Sequence, residues 1–266
     1  MKVIEVNATS MCPTVGRFLP RAFPSNIICH CLIIESIEGL ILVDTGMSLD
    51  TLYQPQNKLG LMNYVLNIEQ RPELAIINQL RALGYSPRDV RHIIPTHLDN
   101  DHCEAIVDFP LATVHTSMLE INNARNPQSA NAKARYLNFQ EHRNWKIHAF
   151  TEGENWYGFK GVKAIEALED NILLVPLYGH TPGHFGVAVK SDRGWLLHAG
   201  DSYYDRRELV EPKSVPRGTR MFVKMIHENF DLAQKNLEKL RALNNKEKDI
   251  QIICSHDPSE FPCLCH

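Results

Sequence analysis

The segment Thr96-His97-Leu98-Asp99-Asn100-Asp101-His102 constrains this chain more than any other part of its 266 residues. It follows the apolar run His92-Ile93-Ile94-Pro95, which is typical of the end of a buried strand. Two imidazoles and two carboxylates fall close together in it, and such a cluster is costly unless a cation gathers it. Neutral imidazole and carboxylate are ligands that suit zinc, iron or manganese. The segment therefore predicts a metal site in a loop at a strand end.

Three further groups of ligand-type residues lie downstream of this segment. They contain His180 in Gly179–His184, Asp201 after Ala199-Gly200, and His256 after Ser255. Each group follows an apolar run that is typical of a strand, at residues 172–176, 195–197 and 250–254. If two packed sheets place these strand-end loops on one edge, the ligand-type residues meet there.

The order of these motifs resembles the metallo-β-lactamase superfamily: His-x-Asp-x-Asp-His, then Gly-His, then Gly-Asp, then a late His. The segment Val43-Asp44-Thr45-Gly46 resembles it as well, so the resemblance extends from Ile27 to His256. Within the superfamily, Asp201-Ser202-Tyr203-Tyr204 is similar to the Gly-Asp-x-x-Tyr motif of N-acyl homoserine lactonases, with Tyr204 at the tyrosine position. The chain departs from the family twice. Asp99 stands where most hydrolytic members have His, and Glu104-Ala105 stands where Gly-Gly often follows.

The resemblance implies a site with two divalent metal ions, zinc being expected and iron or manganese the alternatives. The ligands that it implies are His97, Asp99 and His180 for the first ion, Asp101, His102 and His256 for the second, and Asp201 as the bridge. It also implies a bridging hydroxide that attacks a carbonyl, with Tyr204 or Tyr203 stabilising the oxyanion and Asp101 or Asp201 carrying the proton. The catalytic residues would then be Asp101, Tyr204 and Asp201. Asp44 is expected to hydrogen-bond the motif loop, and His184 is not expected to be a ligand.

Asp99 changes the expected charge of the site. With Asp99, Asp101, Asp201 and a hydroxide, the charge of two divalent ions is cancelled, whereas a histidine in place of Asp99 would leave the sum one unit more positive. We therefore expect a weaker Lewis acid with some preference for iron or manganese. The alternative is that the shorter aspartate does not reach the metal.

The pattern of the chain is that of an α/β protein, and the fold that the resemblance implies is a four-layer αβ/βα sandwich, as one domain over residues 1–266. Strand-like runs at 27–34 and 40–43 predict a hairpin, and Pro72 opens a predicted helix that Gly84 ends. Residues 116–145 are polar and helix-like and predict a helical cap or insertion. A long helix is predicted near 230–243. The segments Ser10–Pro24 and Thr51–Val65 are expected either to fold over the metal edge or to form a subunit contact.

The composition of the chain limits the classes of binding partner that we expect. The net charge is -3 and there is no Lys/Arg-rich block, so nucleic acid is not expected. The first residues, Met1–Val6, lack the long apolar segment of a signal peptide, and no apolar run has the length of a membrane span. We therefore expect neither a signal peptide nor a membrane partner. Seven cysteines without a C-x-x-C pair predict a reducing, cytoplasmic setting. Cys29-His30-Cys31 and Cys263-Leu264-Cys265-His266 could bind metal. In a strand, however, Cys29 and Cys31 face away from His30, and the tail at 263–266 is expected to fray, so neither is expected to do so.

The expected function is hydrolysis of a small ester-like substrate, most of all a lactone. The oligomeric state stays open, with a homodimer as one possibility. Three other functions stay open at this point: a di-iron oxidoreductase, a phosphodiester hydrolase, and a metal-binding sensor without catalysis. Flavodiiron proteins resemble the chain in having an acidic residue at the position of Asp99. They usually carry a flavodoxin module as well, which we do not expect after the 266 residues of this chain.

Overall fold

Two β-sheets form the centre of the computed structural model, which describes residues 1–136, 139–165, 168 and 171–262. The strands are β1 (Lys2–Met11), β2 (Ile27–Ser36), β3 (Gly39–Val43), β4 (Val90–Ile94), β5 (Thr113–Ser117), β6 (Trp145–His148), β7 (Glu154–Trp156), β8 (Phe159–Ala164), β9 (Ile172–Pro176), β10 (Phe185–Ser191), β11 (Gly194–His198) and β12 (Ile250–Ile253). The α-helices are α1 (Thr14–Phe18), α2 (Leu49–Tyr53), α3 (Pro55–Leu59), α4 (Leu61–Leu66), α5 (Ile76–Ala82), α6 (Asn100–Cys103), α7 (Met118–Arg125), α8 (Ala130–Arg135), α9 (Arg206–Val210), α10 (Arg217–Ile226) and α11 (Phe230–Lys246). The tail motif at 263–266 lies outside the described residues.

The first sheet has the strand order β1-β2-β3-β4-β5-β6. The pairs β1/β2 and β2/β3 are antiparallel, whereas β3, β4, β5 and β6 run parallel to their neighbours. The first eight residues of β2 are all buried, which explains why they form a continuous apolar run rather than an alternating one. The predicted hairpin is formed by β2 and β3.

The second sheet has the strand order β12-β11-β10-β9-β8-β7 and is antiparallel except for β11 and β12. A buried apolar layer fills the space between the sheets, with Ile34, Ile41 and Ile94 from one side and Leu174 and Val187 from the other. The outer face of each sheet is covered by helices. On the second sheet α11 buries Leu237, Leu240 and Leu243. This is the expected αβ/βα sandwich.

Sequence patterns located the central elements better than the edges. The long helix α11 begins at the predicted residue and extends three residues further, and the predicted helix after Pro72 starts as a 3₁₀ turn and continues as α5. The strands β1, β6, β7 and β8 and the helix α10 were not predicted. Residues 116–145 contain the helices α7 and α8, and residues 137 and 138 of this segment lie outside the described part. In the described residues, no helix combines the length and the apolar character that a membrane span requires.

Candidate metal centre

The ligand-type residues lie in four loops at one edge of the sandwich. His97 follows β4, and Asp101 and His102 lie in the short helix α6 directly after it. His180 lies between β9 and β10, Asp201 follows β11, and His256 follows β12. Each loop leaves the end of a buried strand, so the strand ends fix the positions of these side chains.

Asp201 belongs to two clusters of possible ligand atoms. Its carboxylate forms one cluster with His97 and His180 and another with His102 and His256, and within each cluster the ligand atoms lie within 4.8 Å of one another. Asp201 Oδ2 is 3.5 Å from His180 Nε2 and 3.1 Å from His256 Nε2. Asp201 Oδ1 is 3.3 Å from His102 Nε2. A carboxylate shared by two sets of imidazoles is the arrangement that a pair of cations requires.

Asp99 and Asp101 each lie beside one of the two clusters. Asp99 Oδ2 is 3.4 Å from His97 Nε2 and 3.2 Å from His180 Nε2. Asp101 Oδ2 is 3.7 Å from His102 Nε2 and 3.6 Å from His256 Nε2. The structure therefore brings all seven predicted ligands together, and Asp99 is long enough to reach the first cluster.

Three buried atoms of the candidate ligands have no hydrogen-bond partner in the described part of the chain. They are His97 Nε2, Asp99 Oδ1 and Asp201 Oδ1. A buried acceptor without a partner is costly, and each of these atoms can donate a lone pair to a cation. The donor set of imidazole nitrogens and carboxylate oxygens fits zinc, iron or manganese.

The second ring nitrogen of each candidate histidine ligand is held by another group. His102 Nδ1 is 2.8 Å from Asp44 Oδ2, and His256 Nδ1 is 2.8 Å from the Ile28 carbonyl. His97 Nδ1 is 3.1 Å from Thr96 Oγ1, and His180 Nδ1 is 3.2 Å from His227 Nδ1. Partners of this kind fix the tautomer and direct Nε2 toward a metal.

Asp44 acts as expected, by holding the motif loop. Its carboxylate accepts hydrogen bonds from the Thr96 backbone N–H at 2.7 Å and from the Thr96 hydroxyl at 3.1 Å, besides its contact with His102.

The loop that carries Asp201 packs closely against His184. Gly200 in this loop has φ +55°, and an added Cβ there would lie 2.5 Å from His184 Nε2. His184 Nε2 accepts from the Asp201 backbone N–H at 3.0 Å, so His184 supports the Asp201 loop instead of facing the cluster.

The charges of the site shift the pKa values of its members in opposite directions. Burial alone would lower the pKa of His102, but Asp201, Asp101 and Asp44 raise it well above its usual value. The pKa of His180 is lowered by burial and by the neighbouring Arg135. Burial would raise the pKa of Asp201, but His256 and His102 bring it well below the usual range. Asp201 is thus ionised, as a ligand must be.

The structural roles of two buried glutamates were missed by sequence analysis. Glu120 in α7 accepts hydrogen bonds from the Leu98 backbone N–H at 3.0 Å and from the Thr181 hydroxyl at 2.6 Å, and so ties the motif loop to the His180 loop. Glu104, which replaces a family glycine, accepts from the Ser48 backbone N–H at 3.1 Å. No spacing or periodicity marks either residue, because each acts through contacts that are distant in sequence.

The two neighbouring tyrosines have different environments. The Tyr204 hydroxyl donates to Asp201 Oδ2, and its ring stacks on His256 with the centroids 4.9 Å apart. Burial and Asp201 raise the pKa of Tyr204 well above its usual value, so the hydroxyl keeps its proton. The Tyr203 hydroxyl instead donates to Glu260, at 2.9 Å. Tyr204, and not Tyr203, therefore faces the candidate metal centre.

A cavity of about 370 Å³ opens onto the cluster. Asp99, Asp101, His180, Asp201 and Tyr204 line its floor, and its apolar lining comes from Met11, Ile27, Met47, Leu59, Leu66, Phe222, Met225 and Ile226. Among the side chains that the structure describes in the segments 10–24 and 51–65, Met11 and Leu59 line this cavity. The aromatic residues Phe18, Tyr53 and Tyr64 of these segments are exposed, and the helix α10 supplies much of the remaining wall. Its contribution was missed because α10 itself was not predicted.

The Cys29-His30-Cys31 segment divides between two faces, as its alternation predicts. Cys29 and Cys31 pack into the core beneath the first sheet, whereas His30 contacts Glu5 at 2.8 Å. Cys29 offers a sulfur within 4.8 Å of possible ligand atoms of Asp101 and His256. Burial raises the pKa of the Cys29 thiol well above its usual value.

Comparison with known proteins agrees with this geometry. A family model described as the metallo-beta-lactamase superfamily matches residues 26–256. A protein named probable metallo-hydrolase from Mycobacterium tuberculosis is 35% identical over 91% of this chain and 78% of its own length. An N-acyl homoserine lactonase from Bacillus thuringiensis is 28% identical over 87% of this chain and 82% of its own length.

Solved structures share the fold. An N-acyl homoserine lactone hydrolase with the product N-hexanoyl-L-homoserine at its catalytic metal centre has a TM-score of 0.70 and 24% identity, over 97% of this chain and 94% of that chain. The dizinc quorum-quenching lactonase AidC has a TM-score of 0.66 and 16% identity, over 97% of this chain and 88% of that chain. The chain therefore belongs to the metallo-β-lactamase superfamily and is a metal-dependent hydrolase.

Proposed function

We propose that the chain is a binuclear metal-dependent hydrolase that opens a small ester-like bond, namely that of a lactone. The observation that carries the proposal is the position of Asp201 in both ligand clusters, on the floor of an apolar-walled cavity. The lactonases among the relatives and the solved structures support the same class of substrate. Cytoplasmic location and a homodimer stay predictions from the sequence.

Zinc is the metal that we propose, with iron or manganese as alternatives because Asp99 adds a carboxylate oxygen to the donor set. The first ion would be held by His97, Asp99 and His180, the second by Asp101, His102 and His256, and Asp201 would contact both. When bound, two such ions lower the pKa of water and polarise the carbonyl that is attacked.

Tyr204 would stabilise the negative charge that develops on the substrate oxygen. Its hydroxyl already lies at the cluster, where it donates to Asp201. Its ring is fixed by stacking on His256 and by an edge contact with Phe222 at 5.4 Å between the centroids. A donor that is oriented before the reaction stabilises the transition state without a cost of reorganisation.

Asp101 would carry the proton to the leaving alkoxide. Its side chain is 20% exposed, whereas the side chain of Asp201 is 2% exposed and is shared by both clusters. Asp101 can therefore exchange protons with the cavity more readily than Asp201, which remains the alternative carrier. The apolar walls of Met11, Leu59 and Met225 would receive the acyl part of the substrate.

A substrate screen on the metal-loaded chain tests this proposal. The panel contains N-acyl homoserine lactones of increasing acyl length, aryl esters and an aryl phosphodiester, and the chelator-stripped chain is the control. We expect lactones to be hydrolysed with the highest kcat/KM, and activity to return when zinc is restored. Faster turnover of the phosphodiester would contradict the lactone proposal. Full metal occupancy without turnover on the whole panel would favour a sensor, and visible absorbance from ferric iron would favour an oxidoreductase.

A further inference from the structure

Arg135 brings a buried positive charge into the first ligand cluster. It is the last residue of α8, and its side chain is 11% exposed. Its Nη1 donates to Asp99 Oδ2 and lies 2.8 Å from His180 Nε2, while Nη2 donates to the Ile226 carbonyl. Its Nε lies 3.7 Å from Glu228. The guanidinium is therefore fixed against the candidate ligands by groups from three different parts of the chain.

A buried guanidinium beside a metal centre is costly unless a carboxylate compensates it. The carboxylate that touches Arg135 is Asp99, at the position where the resembled hydrolases have a neutral histidine. Asp99 and Arg135 together carry no net charge, as a neutral imidazole does. The sequence-based expectation of a site one unit less positive counted Asp99 without Arg135, whose guanidinium contacts the Asp99 carboxylate.

We propose that Asp99 and Arg135 form a charge-balanced pair that replaces the family histidine, with Arg135 as a positioning residue that acts through Asp99. The inference rests on the proposed binuclear site. Asp99 has two oxygens, and Oδ1 has no hydrogen-bond partner in the described residues, so the carboxylate can face a cation and the guanidinium together. If His180 Nε2 binds a cation through its lone pair, that lone pair can no longer accept from Arg135 Nη1. The guanidinium then depends on Asp99 and Glu228 for compensation.

This pairing predicts that an uncharged residue at position 135 restores the metal affinity that Asp99→His loses, whereas a charged one does not. In Asp99→His, Arg135 loses its closest carboxylate and repels the first ion, so we expect that site to lose affinity at least roughly tenfold, as outer-shell changes commonly do. Adding Arg135→Met removes the unbalanced charge, and the affinity should return to within a few-fold of the wild-type value. Arg135→Lys in the same background keeps the charge and should not restore the affinity.

The experiment measures metal per chain by mass spectrometry and zinc affinity by competition with a chromophoric chelator, for the wild type and all of these variants. Circular dichroism checks the folding of each variant. If Asp99→His does not fold, Asp99→Asn keeps the size of the side chain and tests the same loss of charge. A role in packing alone predicts that Lys at position 135 restores binding at least as well as Met.

The pair is refuted if the Asp99 variants bind both ions as tightly as the wild type, or if Arg135→Met restores no more affinity than Arg135→Lys. A wild-type chain that binds no second ion would instead overturn the proposed binuclear function, together with this inference. A binuclear wild type whose loss of affinity in Asp99→His is not reversed by Arg135→Met would overturn the pair alone. Metal content and zinc affinity decide all of these outcomes without a measurement of activity.

Discussion

Replacing Tyr204 by phenylalanine isolates the contribution of one hydroxyl to the reaction. In Tyr204→Phe the ring can keep its stacking on His256, whose centroid is 4.9 Å away, and only the donor is lost. A hydrogen bond to a charged group contributes roughly 1.5–3 kcal/mol. Since about 1.4 kcal/mol corresponds to a tenfold change in rate, kcat should fall roughly 10- to 100-fold. Steady-state hydrolysis of the best lactone of the panel measures this change, with metal per chain determined in parallel.

The neighbouring tyrosine provides a matched control. Tyr203 is fully buried and its hydroxyl donates to Glu260, away from the ligand clusters. Tyr203→Phe should therefore lower the free energy of unfolding by about 1 kcal/mol without reducing kcat. The reasoning is refuted if Tyr204→Phe keeps its full kcat with both ions bound, or if the two variants lose activity equally.

Three further predictions concern metal retention, packing and pH. Asp201→Ala should lose activity and bound metal more completely than Asp99→Ala, because Asp201 belongs to both clusters; equal metal content and equal residual kcat would contradict this. Gly200→Ala should destabilise the chain by roughly 1–3 kcal/mol in thermal denaturation, because its Cβ would lie 2.5 Å from His184 Nε2, and an unchanged Tm would refute the contact. Burial lowers the pKa of His115 from its ordinary value near 6.5 to about 3. Between pH 6.5 and pH 3 the unfolded chain therefore binds one more proton at this residue than the folded chain, and stability falls as the pH falls. From pH 7 to pH 5 the wild type should therefore lose about 2 kcal/mol more than His115→Gln, whereas parallel stability curves would contradict the prediction.

The grouping of the ligands could be predicted from sequence because their positions are coupled to local patterns. His97, His180 and Asp201 each follow a short apolar run, and such runs form buried strands whose ends meet at an edge. The hairpin β2–β3 and the helix α11 were predictable for the same reason, since their apolar residues have a clear run or period. The fold was then predicted from the order of the motifs, which is the order found in the metallo-β-lactamase superfamily.

The surroundings of the ligands could not be predicted in this way. Arg135, Glu120 and His227 reach the site from the cap and from the end of α10, and nothing in their neighbouring residues distinguishes them from ordinary polar positions. Arg135 and His227 act through contacts with Asp99 and His180, and Glu120 acts through contacts with Leu98 and Thr181, all of them distant in sequence. The expected charge of the site left out Arg135 for this reason: Asp99 was visible in a motif, whereas its partner Arg135 was one of the basic residues in a polar stretch.

The most direct test of the binuclear site is the number and position of the metal ions in the purified chain. Mass spectrometry after zinc loading and removal of excess metal should give two ions per chain. Anomalous diffraction at the zinc edge should place one ion at His97 and His180 and the other at His102 and His256, with Asp201 between them. One ion or none, or ions bound away from these residues, would contradict the account.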